Sequence, residues 1–296
     1  MKFKNFFAWC LLPVAFMVAI VACSQPSDRI VVGTKNFTEQ LVLGEVLAQQ
    51  IENKTNLKVD RRFNLNGTFI CHEGIKSGEL DLYPEYTGTA YTAILKKPAI
   101  GDAQKVFEAV RQDYPQQFKL EWLAPFGFSN SFAMIIRGDD AQKFNVQTLS
   151  EASKYTPQWR AGFGFEFLNR EDGFPGLAQA YNLKFKEQPK VMDLGLLYKA
   201  LTEKQVDLVA GNSTDGLIPT LNLVVLKDDK QFFPPYEAAT IVRQETLQKH
   251  PELRPAIEGL AGKLTEETMQ QLNYRVDGKK EDVKQVVREF LQSKSL

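Results

Sequence analysis

The sequence predicts an α/β protein of two lobes joined by two chain crossings. Three observations lead there. Short apolar runs alternate with helical stripes, the alternation restarts in a second block after residue 138, and the helices after residue 236 have no sheet of their own to cover. A β-α-β-α-β order implies a parallel sheet with helices on its faces. If the last helices pack on the first block, the second block is an insertion. The crossings are then expected near 132–137 and 231–237, and two lobes on two linkers make a hinge with a cleft between them.

Each element has a local reason. Arg29–Gly33 (RIVVG) is a short apolar run that reads as a buried strand. Asn36 and Glu39 have capping-box spacing, and Leu43, Val46, Leu47 and Ile51 follow at helical intervals. A second strand is predicted at Lys58–Phe63. The turn Asn64–Thr68 leads into a helix near Phe69–Ser77. Leu80–Tyr83 reads as a third strand and Gly88–Leu95 as a helix. A helix over 102–114 and a strand at Glu121–Ala124 follow, and Ser131–Arg137 (SFAMIIR) reads as a strand leading elsewhere. The second block has expected strands at Trp159–Gly164 and Asp207–Gly211, and helices near Gly176–Tyr181 and Leu194–Glu203. Phe232-Phe233-Pro234-Pro235-Tyr236 is a rigid passage out, followed by a strand at Glu237–Arg243. Val283, Val286, Val287, Phe290 and Leu291 form an i, i+3, i+4, i+7, i+8 face. Lobe 1 is expected to comprise 29–133 and 235–296, and lobe 2 to comprise 134–234.

Composition narrows the function. The chain has 296 residues, 44% hydrophobic and 24% charged, as soluble globular proteins do. Its 36 Lys+Arg balance 36 Asp+Glu, so the basic surface of a nucleic-acid binder is missing. Residues 1–22 stand apart. Lys2 and Lys4 precede a mostly apolar run from Phe6 to Ala22, too short for a comfortable spanning helix. Ile20-Val21-Ala22-Cys23 then reads as a bacterial lipoprotein signal, with cleavage before Cys23 and diacylglycerol on its sulfur. An uncleaved N-terminal anchor is the alternative. Either way the body, joined by a tether over 23–28, is expected outside the cytoplasm, in the periplasm or at the cell surface. Removing residues 1–22 leaves 274 residues with a formal charge of −2, because the segment carries two Lys and no acid.

Only Cys71 then remains unmodified, so no intramolecular disulfide is expected. Cys71-His72-Glu73 has no metal spacing and the only other histidine is His250, so a buried structural cysteine is favoured over a metal or thiol site. No Ser-His-Asp arrangement, Walker loop or GxGxxG is visible, and enzyme chemistry is poorly supported.

In such sheets ligands sit beyond the carboxyl ends of the strands. The loops there are Thr34–Glu39, Asn66–Thr68, Tyr83–Thr89, Gly164–Phe167 and Asn212–Gly216. They and their neighbours supply Phe37, Tyr83, Tyr86, Phe132, Phe163, Phe165, Phe167 and Tyr198, with acids at Glu85 and Glu166. A quaternary ammonium has no N–H to donate and is received by ring faces. A carboxylate tail needs donors such as Lys35, Thr89, Asn130 or Asn212, or main-chain N–H groups at helix starts. The same rings could instead be core.

At these residues the chain closely resembles the glycine betaine/choline (OpuAC-type) substrate-binding proteins of osmoprotectant ABC transporters. The matching stretches are GTKNFTEQLVLGEVLAQQIE at 33–52, GTFICHEGIKSGELDLYPEYTGTAY at 67–91, GLLYKALTEKQVDLVAGNSTDGLI at 195–218, LKDDKQFFPPYEAATIVRQETL at 226–247 and KLTEETMQQLNYRVD at 263–277. The resemblance implies a two-lobed, periplasmic-binding-protein type II fold. It implies a monomer that captures a quaternary ammonium solute and delivers it to a membrane permease, with no cofactor, metal or reaction of its own. Tyr86 and Thr89 in YTGT match a cage tyrosine and a carboxylate-binding threonine, and Tyr198 matches a second cage tyrosine. Phe132 and Asn212 stand where the family often has Tyr, and Glu85 replaces an uncharged residue. Glu85 either adds negative potential near a cation or is a solvent-facing or structural acid. The expected ligand-binding set is Lys35, Phe37, Tyr86, Thr89, Asn130, Phe132, Glu166, Tyr198, Asn212 and Asp215. A different small zwitterion, or a sensor or enzyme on the same scaffold, is the alternative.

Overall fold

The computed structural model describes residues 29–296; the expected lipoprotein signal over 1–22, the expected tether over 23–28 and Cys23 lie outside the described residues. The strands are β1 (Arg29–Lys35), β2 (Lys58–Leu65), β3 (Leu82–Tyr86), β4 (Leu120–Trp122), β5 (Phe132–Arg137), β6 (Ala161–Phe163), β7 (Lys190–Val191), β8 (Leu208–Asn212), β9 (Leu223–Leu226) and β10 (Ala238–Arg243). They form two five-stranded sheets, in the orders β2-β1-β3-β10-β4 and β7-β6-β8-β5-β9. In the first sheet β1, β2 and β3 run parallel, and β10 is antiparallel to β3 and β4. The second repeats the plan, with β5 antiparallel to β8 and β9. In each sheet the reversed strand is the one that arrives from the other lobe.

The central strands bury both faces, so they read as apolar runs rather than as alternating ones, whereas the edge strands β2 and β7 have no buried residue. Along β10, Ala238 and Val242 join one core cluster, whereas Ala239 and Ile241 join the cluster on the opposite face. Along β5, Met134 and Ile136 face one cluster and Ala133 and Ile135 another. This period of two is that of a strand with a helical layer on each side. The apolar stripe of the helix Thr38–Lys54 is buried at Leu43, Val46, Leu47 and Ile51. The C-terminal helix Val283–Ser293 buries Val286, Val287, Phe290 and Leu291 in the same cluster, so the last helices do pack on the first block. Each such aliphatic side chain contributes about 1.5–3 kcal/mol when fully buried. No described helix is long and apolar enough to cross a membrane.

Three expectations are corrected. Residues 132–137 are not a crossing; they are β5, paired on both edges within the second sheet. The first crossing is the stretch 123–131, and it lies along the second one. Asn130 N donates to Tyr236 O at 3.0 Å, and Ala238 N donates to Phe128 O at 3.1 Å. Ser129 and Glu237 form an antiparallel bridge between the two. The third strand is displaced towards Tyr86, and Glu39 is not part of a capping box. The helix Thr38–Lys54 is capped by Phe37 in an extended conformation, with no side-chain hydrogen bond. The edge strands β7 and β9 have no counterpart in the sequence reading.

Candidate functional site

The sheets turn their loops towards each other. Lys35 ends β1, Tyr86 ends β3, and Asn212 ends β8. Tyr86 leads into a short helix at 87–94 whose second half is π-wound. Such irregular turns are frequent at functional sites.

On the first sheet's side the buried Lys35 Nζ meets Glu85 Oε1 at 2.5 Å. Glu85 is therefore neither solvent-facing nor idle: it neutralises the lysine and also accepts from Tyr86 N at 2.7 Å. Lys35, nominated as a carboxylate donor, is thus already committed. Its ammonium also lies 5.2 Å from the Tyr86 ring centroid, and Phe37 stacks on that ring at 6.3 Å. Tyr83 is fully buried in the core beneath and does not line the cleft.

On the second sheet's side, Phe132 and Asn212 are paired on adjacent strands. The Tyr198 hydroxyl donates to Asp215 Oδ2, which also accepts from Asn212 N at 2.9 Å. Gly211 makes room for this pair: a Cβ there would strike the Tyr198 hydroxyl and meet Asp215 Oδ2 at 3.0 Å. Burial pushes the Asp215 carboxyl up to about 6, against the opposing hydrogen bonds of Tyr198 and Asn212. Phe163 and Phe167 are core residues, whereas Phe165 is 67% exposed.

Two residues absent from the sequence-based set connect the rest. Arg170 is buried. Its Nε and Nη2 donate to Asp172 at 2.8 and 2.5 Å, and Nη2 lies 3.4 Å from the Thr89 hydroxyl. The guanidinium carbon sits 5.2 Å from the Phe132 ring centroid. Nη1 is 3.7 Å from Glu166 Oε2, too far for a hydrogen bond, and can take a further acceptor. Burial raises the Asp172 carboxyl, but Arg170 outweighs it and the carboxyl sits below its ordinary range. Asp172 also accepts from Thr92 and Tyr236, at 2.7 and 3.1 Å, and so spans the cleft. Glu166 spans it as well, accepting from Thr68 N at 2.6 Å at the start of the helix Thr68–Ser77. Beside these residues a groove of about 670 Å³ opens between Phe69 and Ile70 on one side and Phe165 and Arg170 on the other.

The second connector is Glu39, which accepts from Tyr86 and Asn130, each at 2.7 Å. Burial raises its carboxyl above the ordinary range, and its hydrogen bonds only partly offset the shift. Through Glu39 and Arg170, all ten nominated residues fall into one connected group across the cleft. Cys71 is buried and free, and burial pushes its thiol up to about 12, as an inert structural cysteine requires.

This arrangement can hold a small solute between ring faces and a buried guanidinium. The family described as the substrate binding domain of ABC-type glycine betaine transport systems (OpuAC) matches residues 28–293. The chain belongs to the OpuAC family. Members of this family are substrate-binding domains of transport systems. This OpuAC protein is 38% identical over 299 residues to a carnitine transport binding protein of Listeria monocytogenes, covering 98% of this chain and 96% of that one. It is 39% identical over 265 residues to a protein of Helicobacter pylori named as an ergothioneine transport permease/ergothioneine binding protein. That match covers 89% of this chain and 47% of the longer relative. A crystal structure of a glycine betaine/carnitine/choline ABC transporter protein superposes with a TM-score of 0.73 at 34% identity. The superposition covers 89% of this OpuAC protein and 98% of that chain. The two-lobed architecture expected from the sequence is that of these relatives.

Proposed function

We propose that the protein captures a small quaternary ammonium carboxylate, such as glycine betaine or a related osmoprotectant, and hands it to an ABC permease. The observation that carries this reading is Arg170, buried 5.2 Å from the Phe132 ring centroid and 3.4 Å from Thr89 Oγ1. A buried guanidinium whose Nε and Nη2 hold Asp172, with Nη1 left to take an acceptor, therefore adjoins aromatic faces, which suits a molecule with a carboxylate near a methylated cation. The solutes in the relatives' names support the same class, since carnitine, ergothioneine and glycine betaine each carry a trimethylammonium group and a carboxylate. The solute's carboxylate is assigned to Arg170 and Thr89, and its cation to the rings of Tyr86, Phe132 and Tyr198. Lys35 contributes through its pair with Glu85.

Calorimetric titration with glycine betaine, carnitine, choline and ergothioneine tests the assignment. Tyr86→Ala and Tyr198→Ala should each weaken the bound solute roughly 2–30-fold, equivalent to about 0.5–2 kcal/mol per desolvated ring contact. Trp122→Phe, in the core on the far face of the first sheet, should leave affinity unchanged. Tight binding of an uncharged solute that is indifferent to both tyrosines would overturn the reading, and so would chemical turnover of the bound molecule.

The sequence-based boundary at 133/134 moves to 131/132, because Phe132 and Ala133 pair within the second sheet; the lobes are assigned as 29–131 with 235–296 and as 132–234. Cys23 is assigned as the lipid anchor that holds the domain at an extracytoplasmic membrane surface. Mass spectrometry of the membrane-bound protein should find a diacylglyceryl group on an N-terminal Cys23; an unmodified thiol there would refute the anchor.

A further inference from the structure

Glu39, like Asp215, has only neutral hydrogen-bond donors, but Glu39 draws them from both lobes. Its two oxygens face different parts of the molecule. Oε1 accepts from Tyr86 on β3 and from Asn130 on the first crossing, each at 2.7 Å. Oε2 accepts from Thr214 Oγ1 at 2.5 Å and from Asn273 Nδ2 at 3.2 Å. Thr214 lies in the loop after β8 and belongs to the second lobe; Asn273 lies on the helix Glu266–Asp277, which packs on the first. The same loop docks on that helix elsewhere. Asn273 Nδ2 donates to Thr214 O at 3.0 Å, and Gln270 Nε2 donates to Ser213 O at 3.1 Å. Gly216 approaches so closely that a Cβ there would collide with the main chain at Tyr274.

A carboxylate buried without a cation is costly unless its lone pairs are filled. Here they are filled only while the loop 213–216 is seated. Lifting the second lobe removes Thr214 from Oε2 and admits water to the carboxylate. The charge then redistributes over the remaining donors, among them the Tyr86 hydroxyl. We propose that Glu39 is a positioning residue that couples closure of the cleft to the orientation of the Tyr86 ring. Thr214 and the Tyr86 phenol never touch; they communicate through the two oxygens of one side chain. This inference rests on the two-lobed fold and on that contact, and not on which solute is bound.

The test uses Thr214→Val, which removes the hydroxyl at nearly constant volume, and Thr214→Ser, which retains it. Amide hydrogen exchange is followed in the ligand-free protein. Thr214→Val should speed exchange about tenfold at 86–90 and in the helix Glu266–Asp277, since a hydrogen bond to a charged acceptor is lost. Thr214→Ser should exchange as the wild type does. Unchanged exchange at 86–90 in Thr214→Val, or equal effects of Val and Ser, would overturn the coupling. A second arm measures solute release by stopped flow for whichever of glycine betaine, carnitine or choline the wild type binds. Thr214→Val and Tyr86→Phe should each accelerate release, and the double variant should release little faster than the quicker single one. Additive effects would overturn the coupling. If the wild type binds none of the three, the proposed solute class fails, while the exchange arm still decides the role of Glu39.

Discussion

Arg170→Gln is expected to weaken binding of a carboxylate-bearing quaternary ammonium at least about 30-fold, because losing a buried charged donor costs about 2–5 kcal/mol or more. Two effects contribute. The solute loses the guanidinium nitrogen Nη1 assigned to its carboxylate, and Asp172 is left buried with only the neutral donors of Thr92 and Tyr236. The second effect is one of stability, on the order of 3–5 kcal/mol for a broken buried pair. Adding Asp172→Asn removes the stranded charge, so the double variant should recover most of the stability and none of the affinity. Arg170→Lys keeps the charge but loses the planar fork and its seat on Phe132, and should bind weakly too. Calorimetry beside urea denaturation separates the two effects. A double variant that binds glycine betaine like the wild type would rule out Arg170 as the anion site.

Glu85→Ala is expected to destabilise the fold by about 3–5 kcal/mol. It strands the Lys35 ammonium in a site only 3% exposed, with no counterion at 2.5 Å. It also removes the acceptor of Tyr86 N. Glu85→Gln keeps both hydrogen-bonding roles without the charge and should cost less. Combining Glu85→Gln with Lys35→Met leaves no buried charge and should regain most of the loss. Urea denaturation curves for the four proteins would show the ordering. A cost below about 1 kcal/mol for Glu85→Ala would mean that the lysine swings out to water and that the pair does not organise the site.

Most of the fold is legible in the sequence because its central strands are buried on both faces. RIVVG and FAMIIR carry their burial in the apolar run itself, and Leu43, Val46, Leu47 and Ile51 carry theirs in the helical spacing. β7 is two exposed residues on an edge, and no apolar pattern marks it. β9 (LVVL) is a four-residue edge strand that ends against a charged turn, too short for its apolar run to stand out. The displaced crossing has a similar origin: an apolar run resembles a strand wherever it leads, and only the pairing partner tells which sheet it joins.

The site was legible where the chemistry sits in loops after strands, and illegible at its connectors. Glu39 has a local spacing that imitates a helix cap, but its partners lie 47 to 234 residues away. Arg170 belongs to Asn169-Arg170-Glu171-Asp172, a run that reads as a solvated turn. Only the fold reveals that Arg170 and Asp172 are the buried members of that run, while Asn169 and Glu171 face outward. Charge runs hide such residues, because burial alternates along them and composition does not.

The strand order has a consequence for the order in which the lobes can form. The second sheet is drawn wholly from residues 132–226, so a chain growing from its N-terminus can complete it as soon as β9 is available. The first sheet cannot close then. β10 lies between β3 and β4, and Ala238 pairs with Tyr86 about 150 residues upstream. Until the last quarter of the chain emerges, β3 and β4 each present an unpaired edge, and the C-terminal helices that share one face of that sheet with the helix Thr38–Lys54 do not yet exist. Unpaired apolar edges are where nascent chains associate with the wrong partner. The first lobe begins first and finishes last, and it is the half of the molecule that depends on protection during synthesis.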